Sequence, residues 1–194
     1  MKHEIRRDDI TPMGEYAGIR RERAKSLAEA KKSRRIELGP SCTFYFESYE
    51  TMWYQIHEML YIEKGGEEQI SGELSAYNPL IPKGRELVAT VMIEVGDPDR
   101  RATLLAKLGG FEETITLTVN GDVVQGVAEV DIDRTTADGK ASSVQFLRFP
   151  FSDAQVSAFS ADSADVVLAI GHPEYRHMAG MPDDVRASLS KDFV

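Results

Sequence analysis

The chain has 194 residues, 42% of them hydrophobic and 28% charged, with a formal net charge of −9. That is enough apolar residue to bury a sizeable core and too much for intrinsic disorder. Cys42 is the single cysteine, which excludes an internal disulfide and any zinc or iron–sulfur site built from several cysteines of this chain.

The first element expected is a long helix over about 11–33. Thr11 is its candidate cap and Pro12 suits its first position. Met13, Tyr16, Ala17, Ala24, Leu27 and Ala28 share one stripe at 100° per residue, and Arg20 falls on that same stripe. Residues 1–35 hold 11 Lys/Arg against 6 Asp/Glu, net +5, whereas the remainder is net −14. A basic arm of this kind can mark nucleic-acid binding. The acidic body would repel phosphate, so a solvated helix face is the preferred reading and nucleic acid is not expected as a partner.

Arg35–Leu38 and Cys42–Phe46 read as short strands separated by Gly39-Pro40. Ser48 can cap a second helix to Lys64, with Met52, Trp53, Ile56, Met59 and Leu60 on one face. A third helix is expected from Glu67 to Tyr77, ended by Asn78-Pro79. Leu87–Val95 is apolar on both faces and reads as a central strand. Asp97-Pro98 opens a short helix closed by Gly109-Gly110. Ile115, Leu117 and Val119 alternate with threonines, and Asn120-Gly121 is a strong hairpin signal leading to a strand over about 123–130. Asp138-Gly139 suggests another turn before a strand over 143–149, and Ser152 with Gln155 fits a capping box. Val166–Ile170 reads as a buried strand ended by Gly171-His172-Pro173, and Pro182–Asp192 as a C-terminal helix. Helices first and hairpin-linked strands after predict an α+β fold: three N-terminal helices packed on one mainly antiparallel sheet, with a C-terminal helix. One domain over 1–194 is expected, helical to about residue 82 and sheet-rich beyond.

No dinucleotide, Walker-loop, nucleophile-elbow or HExxH pattern is present; His57-Glu58 is followed by Tyr61 where a second histidine would stand. The carboxylates are more informative. Glu63 falls within the apolar stripe of the second helix, Glu94 ends the doubly apolar strand, and Glu73 flanks the third stripe. A buried carboxylate needs a cation, a donor or a proton. In one reading Arg20 forms a structural ion pair with Glu63 or Glu94. In the other, Glu63, Glu94 and His172 hold iron, manganese or zinc, with His172 fixed between a strand and a proline and His177 in the same loop. His57 points off its helix stripe and is expected at the surface. The aromatic run Phe44, Tyr45, Phe46, Tyr49, Trp53 and Tyr54 is spaced as core rather than as a base-stacking platform.

Several blocks resemble the bacterial domain of unknown function 3501 family. They are Glu15-Tyr16 with Arg20, Arg34 through Pro40, Phe46-Glu47, Tyr54 through Leu60 with Glu63, Tyr77 through Pro82, Ala89 through Glu94 with Asp97-Pro98, and His172 through Tyr175. The resemblance supplies no activity. It implies a setting beside a rubrerythrin-like protein and an iron–sulfur oxidoreductase, hence oxidative-stress metabolism. It also implies glutamine where this chain has His57, which makes His57 a poor shared ligand. Two functions stay open: an accessory or binding protein with a redox partner and no cofactor, or a metal-dependent oxidoreductase or hydrolase using Glu63, Glu94 and His172. Since no apolar run reaches the roughly 18 residues of a membrane span, and residues 1–7 lack a signal-peptide core, a cytoplasmic protein without a membrane partner is expected; a homo-oligomer is left open.

Overall fold

The structure, a computed structural model, describes residues 2–129 and 140–193. Its elements are α1 (Met13–Lys32), β1 (Arg35–Leu38), β2 (Cys42–Phe46), α2 (Tyr49–Glu63), α3 (Gly66–Tyr77), β3 (Glu86–Ile93), α4 (Pro98–Leu105), β4 (Ile115–Val119), β5 (Asp122–Gln125), β6 (Val127–Ala128), β7 (Val144–Pro150), α5 (Asp153–Phe159), β8 (Val166–His172), β9 (Tyr175–Gly180) and α6 (Asp183–Leu189). The fold is α+β. In place of the single sheet expected, the strands form two antiparallel sheets, β1-β2-β3-β7-β6 and β5-β4-β8-β9.

Periodicity explains the core. In β4, Ile115, Leu117 and Val119 are buried while Thr116 and Thr118 are half-buried, so one apolar face is turned inward. On the sheet that faces β4, Leu87, Ala89, Val91 and Ile93 of β3 join Phe44 and Phe46 of β2 and Leu147 and Phe149 of β7. These inner faces pack as a sandwich. The other face of β3 supplies Val88 to a second cluster with Met52, Ile56 and Leu60 of α2, Ile70 of α3, and Ile5, Ile10, Leu80 and Ile81. A strand apolar on both faces thus lies between a sheet and a helical layer. Each large aliphatic side chain buried there contributes roughly 1.5–3 kcal/mol relative to exposure.

The sheets meet at both edges. The strand expected over about 123–130 breaks at Gly126, whose N–H donates to the Ile115 carbonyl at 2.9 Å. A Cβ at Gly126 would lie 2.9 Å from that oxygen, so β5 stays in one sheet while β6 crosses to the other. At the opposite edge the Tyr175 hydroxyl donates to the Leu38 carbonyl and accepts the Ser41 N–H, both at 2.9 Å. Gly39 there has φ 71°, and a Cβ would meet the His177 ring at 2.6 Å.

Several local expectations change. Pro12, not Thr11, occupies the cap position of α1. Ser48 caps α2 as its sequence suggests, accepting the Thr51 N–H at 3.3 Å. Gly171-His172-Pro173 does end the strand, two residues later than expected: β8 runs to His172 and turns through Pro173-Glu174 into β9. The turn expected at Asp138-Gly139 lies outside the described residues. The largest change concerns α1, of which only Tyr16 is buried. It packs on α2 rather than on a sheet.

Candidate functional site

Tyr16, Arg20 and Glu58 meet between α1 and α2. The Tyr16 hydroxyl donates to Glu58 Oε1 at 2.7 Å, and the Arg20 guanidinium grips both carboxylate oxygens at 2.9 and 2.7 Å. One helical turn separates Tyr16 from Arg20, so both reach the same carboxylate. The Arg20 fork lies 4.8 Å above the Tyr61 ring. Arg20 holds the Glu58 carboxyl below its usual range. Burial, then Glu58 itself, pushes the Tyr16 phenol up and keeps it protonated as a donor.

His57 adjoins this group and is fully buried. Its Nδ1–H donates to the Trp53 carbonyl at 2.6 Å, which leaves Nε2 to accept the Thr11 N–H at 3.0 Å. Those partners assign the neutral tautomer. Burial lowers its pKa. The Trp53 indole stacks 3.7 Å from the His57 ring and donates its N–H to the Asp9 carbonyl at 2.9 Å. These bonds fasten residues 2–12 across α2. The segment continues to Asn78, whose side chain bonds both the N–H and the carbonyl of Ile5, and to Glu67, which pairs with Arg7.

Beyond the Tyr16 contact α1 and α2 leave an open cleft of about 360 Å³. Leu27 and Ala30 form one wall, and Tyr49, Trp53 and Tyr54 the other. The Arg23 guanidinium lies 5.1 Å over Trp53, and the Lys2 ammonium, bound to Asp9 at 2.6 Å, lies 5.6 Å over Tyr49. The aromatic run therefore divides: Phe44 and Phe46 are core, whereas Tyr49, Trp53 and Tyr54 line a surface cleft.

The acids singled out from the sequence are placed elsewhere. Arg20 forms its ion pair with Glu58, not with Glu63 or Glu94. Glu63 is exposed at the last residue of α2 and, with Glu73, accepts from Gln69 Nε2 at 2.7 and 2.8 Å. Glu94 is exposed and accepts the Thr43 hydroxyl at 2.7 Å. The helix face of the sheet is apolar around Val88 but carries Thr43, Tyr45 and Glu94 at this end. His172 is the last residue of β8, beside the turn into β9, where its Nδ1 accepts the Glu174 N–H at 3.3 Å. Glu63, Glu94 and His172 are not brought together, and among the described residues no group of three or more His, Cys, Asp or Glu is placed to hold a metal ion. His57 is buried rather than at the surface. Cys42 is buried, and burial pushes its thiol up to about 12, out of reach of thiolate chemistry near neutral pH.

Among the described residues, the buried charged side chains Arg34, Glu47, Glu112, Arg186 and Asp192 escaped sequence reasoning. Asp192 accepts from Arg34 at 3.2 and 2.5 Å while Arg34 also donates to the Phe46 and Glu47 carbonyls. Glu47 is buried and accepts the Thr90 hydroxyl at 2.6 Å. The polar residue directly after the apolar Cys42–Phe46 run was the signal for Glu47; nothing local marks Asp192.

A family model described as protein of unknown function (DUF3501) matches residues 4–193. A crystal structure described as a novel protein of unknown function from Burkholderia pseudomallei is similar to this chain with a TM-score of 0.91 and 37% sequence identity, over 98% of this chain and 99% of that one. No curated protein matches.

Proposed function

Since the chain belongs to the DUF3501 family, we propose that it is a non-catalytic accessory protein whose α1 helix docks an acidic redox partner of the rubrerythrin-like or iron–sulfur kind, in a cytoplasmic setting. The supporting observation is α1 itself. It is a 20-residue helix with one buried side chain, set on a molecule of net charge −9. Arg21 and Lys25 fall on its outer face and are exposed, and Lys32, also exposed there, is paired with Glu29 at 2.7 Å. A stripe of one sign on a body of the other steers an oppositely charged partner. The Tyr16–Arg20–Glu58 contact fixes the helix, so its outer face is presented without ordering cost at binding.

Two measurements test this reading. Purified protein mixed with each of the two redox proteins should give a complex by sedimentation velocity that weakens with salt and is lost in the Arg21→Glu/Lys25→Glu variant. Absence of a complex with both at roughly 50 mM salt, where the screening length is still well above 10 Å, overturns it. The reading assigns no chemical step to this chain. Stoichiometric iron, manganese or zinc in protein purified without an affinity tag would therefore count against it. No helix among the described residues is long and apolar enough to cross a membrane.

A further inference from the structure

The inner side of α1 carries a different feature. Leu27 lies on the stripe that sequence marks as core-facing, yet it looks across the 360 Å³ cleft instead of into packed side chains. That volume lies within the range of small-molecule sites, which combine apolar and aromatic walls with a few placed polar groups. Here the walls are Leu27, Ala30, Trp53 and Tyr54, and the charged groups at the cleft are Lys2, Asp9, Arg23 and Glu50. Lys2 and Asp9 neutralise each other at 2.6 Å. Arg23 and Glu50 have no ion pair among the described residues, with each other or with any third group. One free cation and one free anion therefore flank the Trp53 indole, with Glu50 one helical turn before it and Arg23 stacked on its face.

We propose that this cleft binds a free α-amino acid with an aromatic or branched aliphatic side chain. The carboxylate takes the Arg23 guanidinium by charge-assisted hydrogen bonds. The ammonium takes Glu50, and the side chain displaces water from Leu27, Ala30 and the Trp53 and Tyr54 rings. Glu50 disfavours a ligand bearing negative charge alone, and Arg23 one bearing positive charge alone. The cleft opens to solvent, so both charges stay partly hydrated and affinity falls between roughly 10 μM and 1 mM. This site uses the face of α1 opposite to the stripe Arg21, Lys25 and Lys32, and it stands or falls independently of the docking reading.

Trp53 is the only tryptophan and reports on the cleft directly. Full-length protein is titrated with L-leucine and L-phenylalanine, followed by calorimetry and by Trp53 emission. The expected result is saturable binding at one site. It should weaken at least about tenfold for N-acetyl-L-leucine and for L-leucine ethyl ester, and equally in Arg23→Gln and Glu50→Gln. The two ligand analogues probe the wild-type protein, so that arm does not depend on a variant folding. No saturable signal with either amino acid up to about 10 mM overturns the proposal. So does binding of the acetylated or esterified ligand with unchanged affinity, which would make the site one for a plain anion or a plain cation.

Discussion

His57 shows how one side chain can link chain connectivity to pH. Its neutral ring donates to the Trp53 carbonyl and accepts the Thr11 N–H; a proton on Nε2 would set two donors against each other. Burial holds its pKa below the ordinary 6.5, so the unfolded chain takes up the proton first. Stability that is full above that value is lost as pH falls toward the folded value. Glu58 acts in the same sense lower down. Its carboxyl is held below 4.5 by Arg20, so its contribution is present above the unfolded value and disappears as pH falls through the folded one. Urea midpoints measured from pH 7.5 to 5 should decline, and His57→Gln should flatten that decline. An unchanged slope would refute the assignment. Arg20→Ala tests the neighbouring pair. The Arg20 side chain is 40% exposed and Glu58 only 13%, so solvent screens the pair and the expected loss is clearly smaller than the roughly 3–5 kcal/mol of a fully buried pair.

At the scale of elements, α1 depends on very little buried surface. Tyr16 is fully buried, touching the rings of Trp53, His57 and Tyr61 at centroid distances of 6.0, 4.9 and 6.0 Å. Tyr16→Phe keeps the ring and loses one hydrogen bond to a carboxylate, about 1–2 kcal/mol. Tyr16→Ala removes the anchor and should cost about 3–5 kcal/mol. Hydrogen exchange then gives a spatial signature. In Tyr16→Ala the amides of α1 should lose protection well before those of β3 and β7, because the sandwich does not use Tyr16. Uniform loss across both would mean that α1 and the sheets unfold as one unit.

Across the whole molecule, the buried Arg34–Asp192 pair ties the α1–β1 junction to the C-terminal turn, 158 residues apart. Phe193, next to it, packs against Phe151 and Phe159 at 4.9 and 5.4 Å. Asp192→Ala strands a guanidinium that is 9% exposed, so it should destabilise by about 3–5 kcal/mol in denaturant titration, more than Arg20→Ala. A smaller effect would show that the Phe46 and Glu47 carbonyls suffice to hold Arg34. Charge is also a property of the whole. The basic stretch between Arg20 and Arg35 sits on an acidic body, so no mobility shift with duplex DNA is expected at about 150 mM salt. Sub-micromolar binding there would make α1 a nucleic-acid element instead.

Sequence by itself determined the α+β class, the Ser48 and Ser152 caps, the Asn120-Gly121 hairpin and the double burial of β3. Each is set by residues within one turn or one strand of each other, where spacing and local hydrogen bonding are decisive. It also marked Arg20 as an arginine needing a buried partner. Tertiary structure decided which partner. A helical wheel has angle but no position along the axis, and Glu63 occupies the right angle at the exposed end of α2 while Glu58 lies inside the contact with α1. The same blindness placed His57 at the surface, because the N-terminal segment crossing α2 and Tyr16 of α1 together bury it. Division of the strands between two sheets depended on the bend at Gly126 and the close approach at Gly39, contacts between segments distant in the chain. The open cleft under α1 was not legible for a related reason: an apolar stripe shows that a face needs cover, and only the packed fold shows that α2 leaves part of it uncovered.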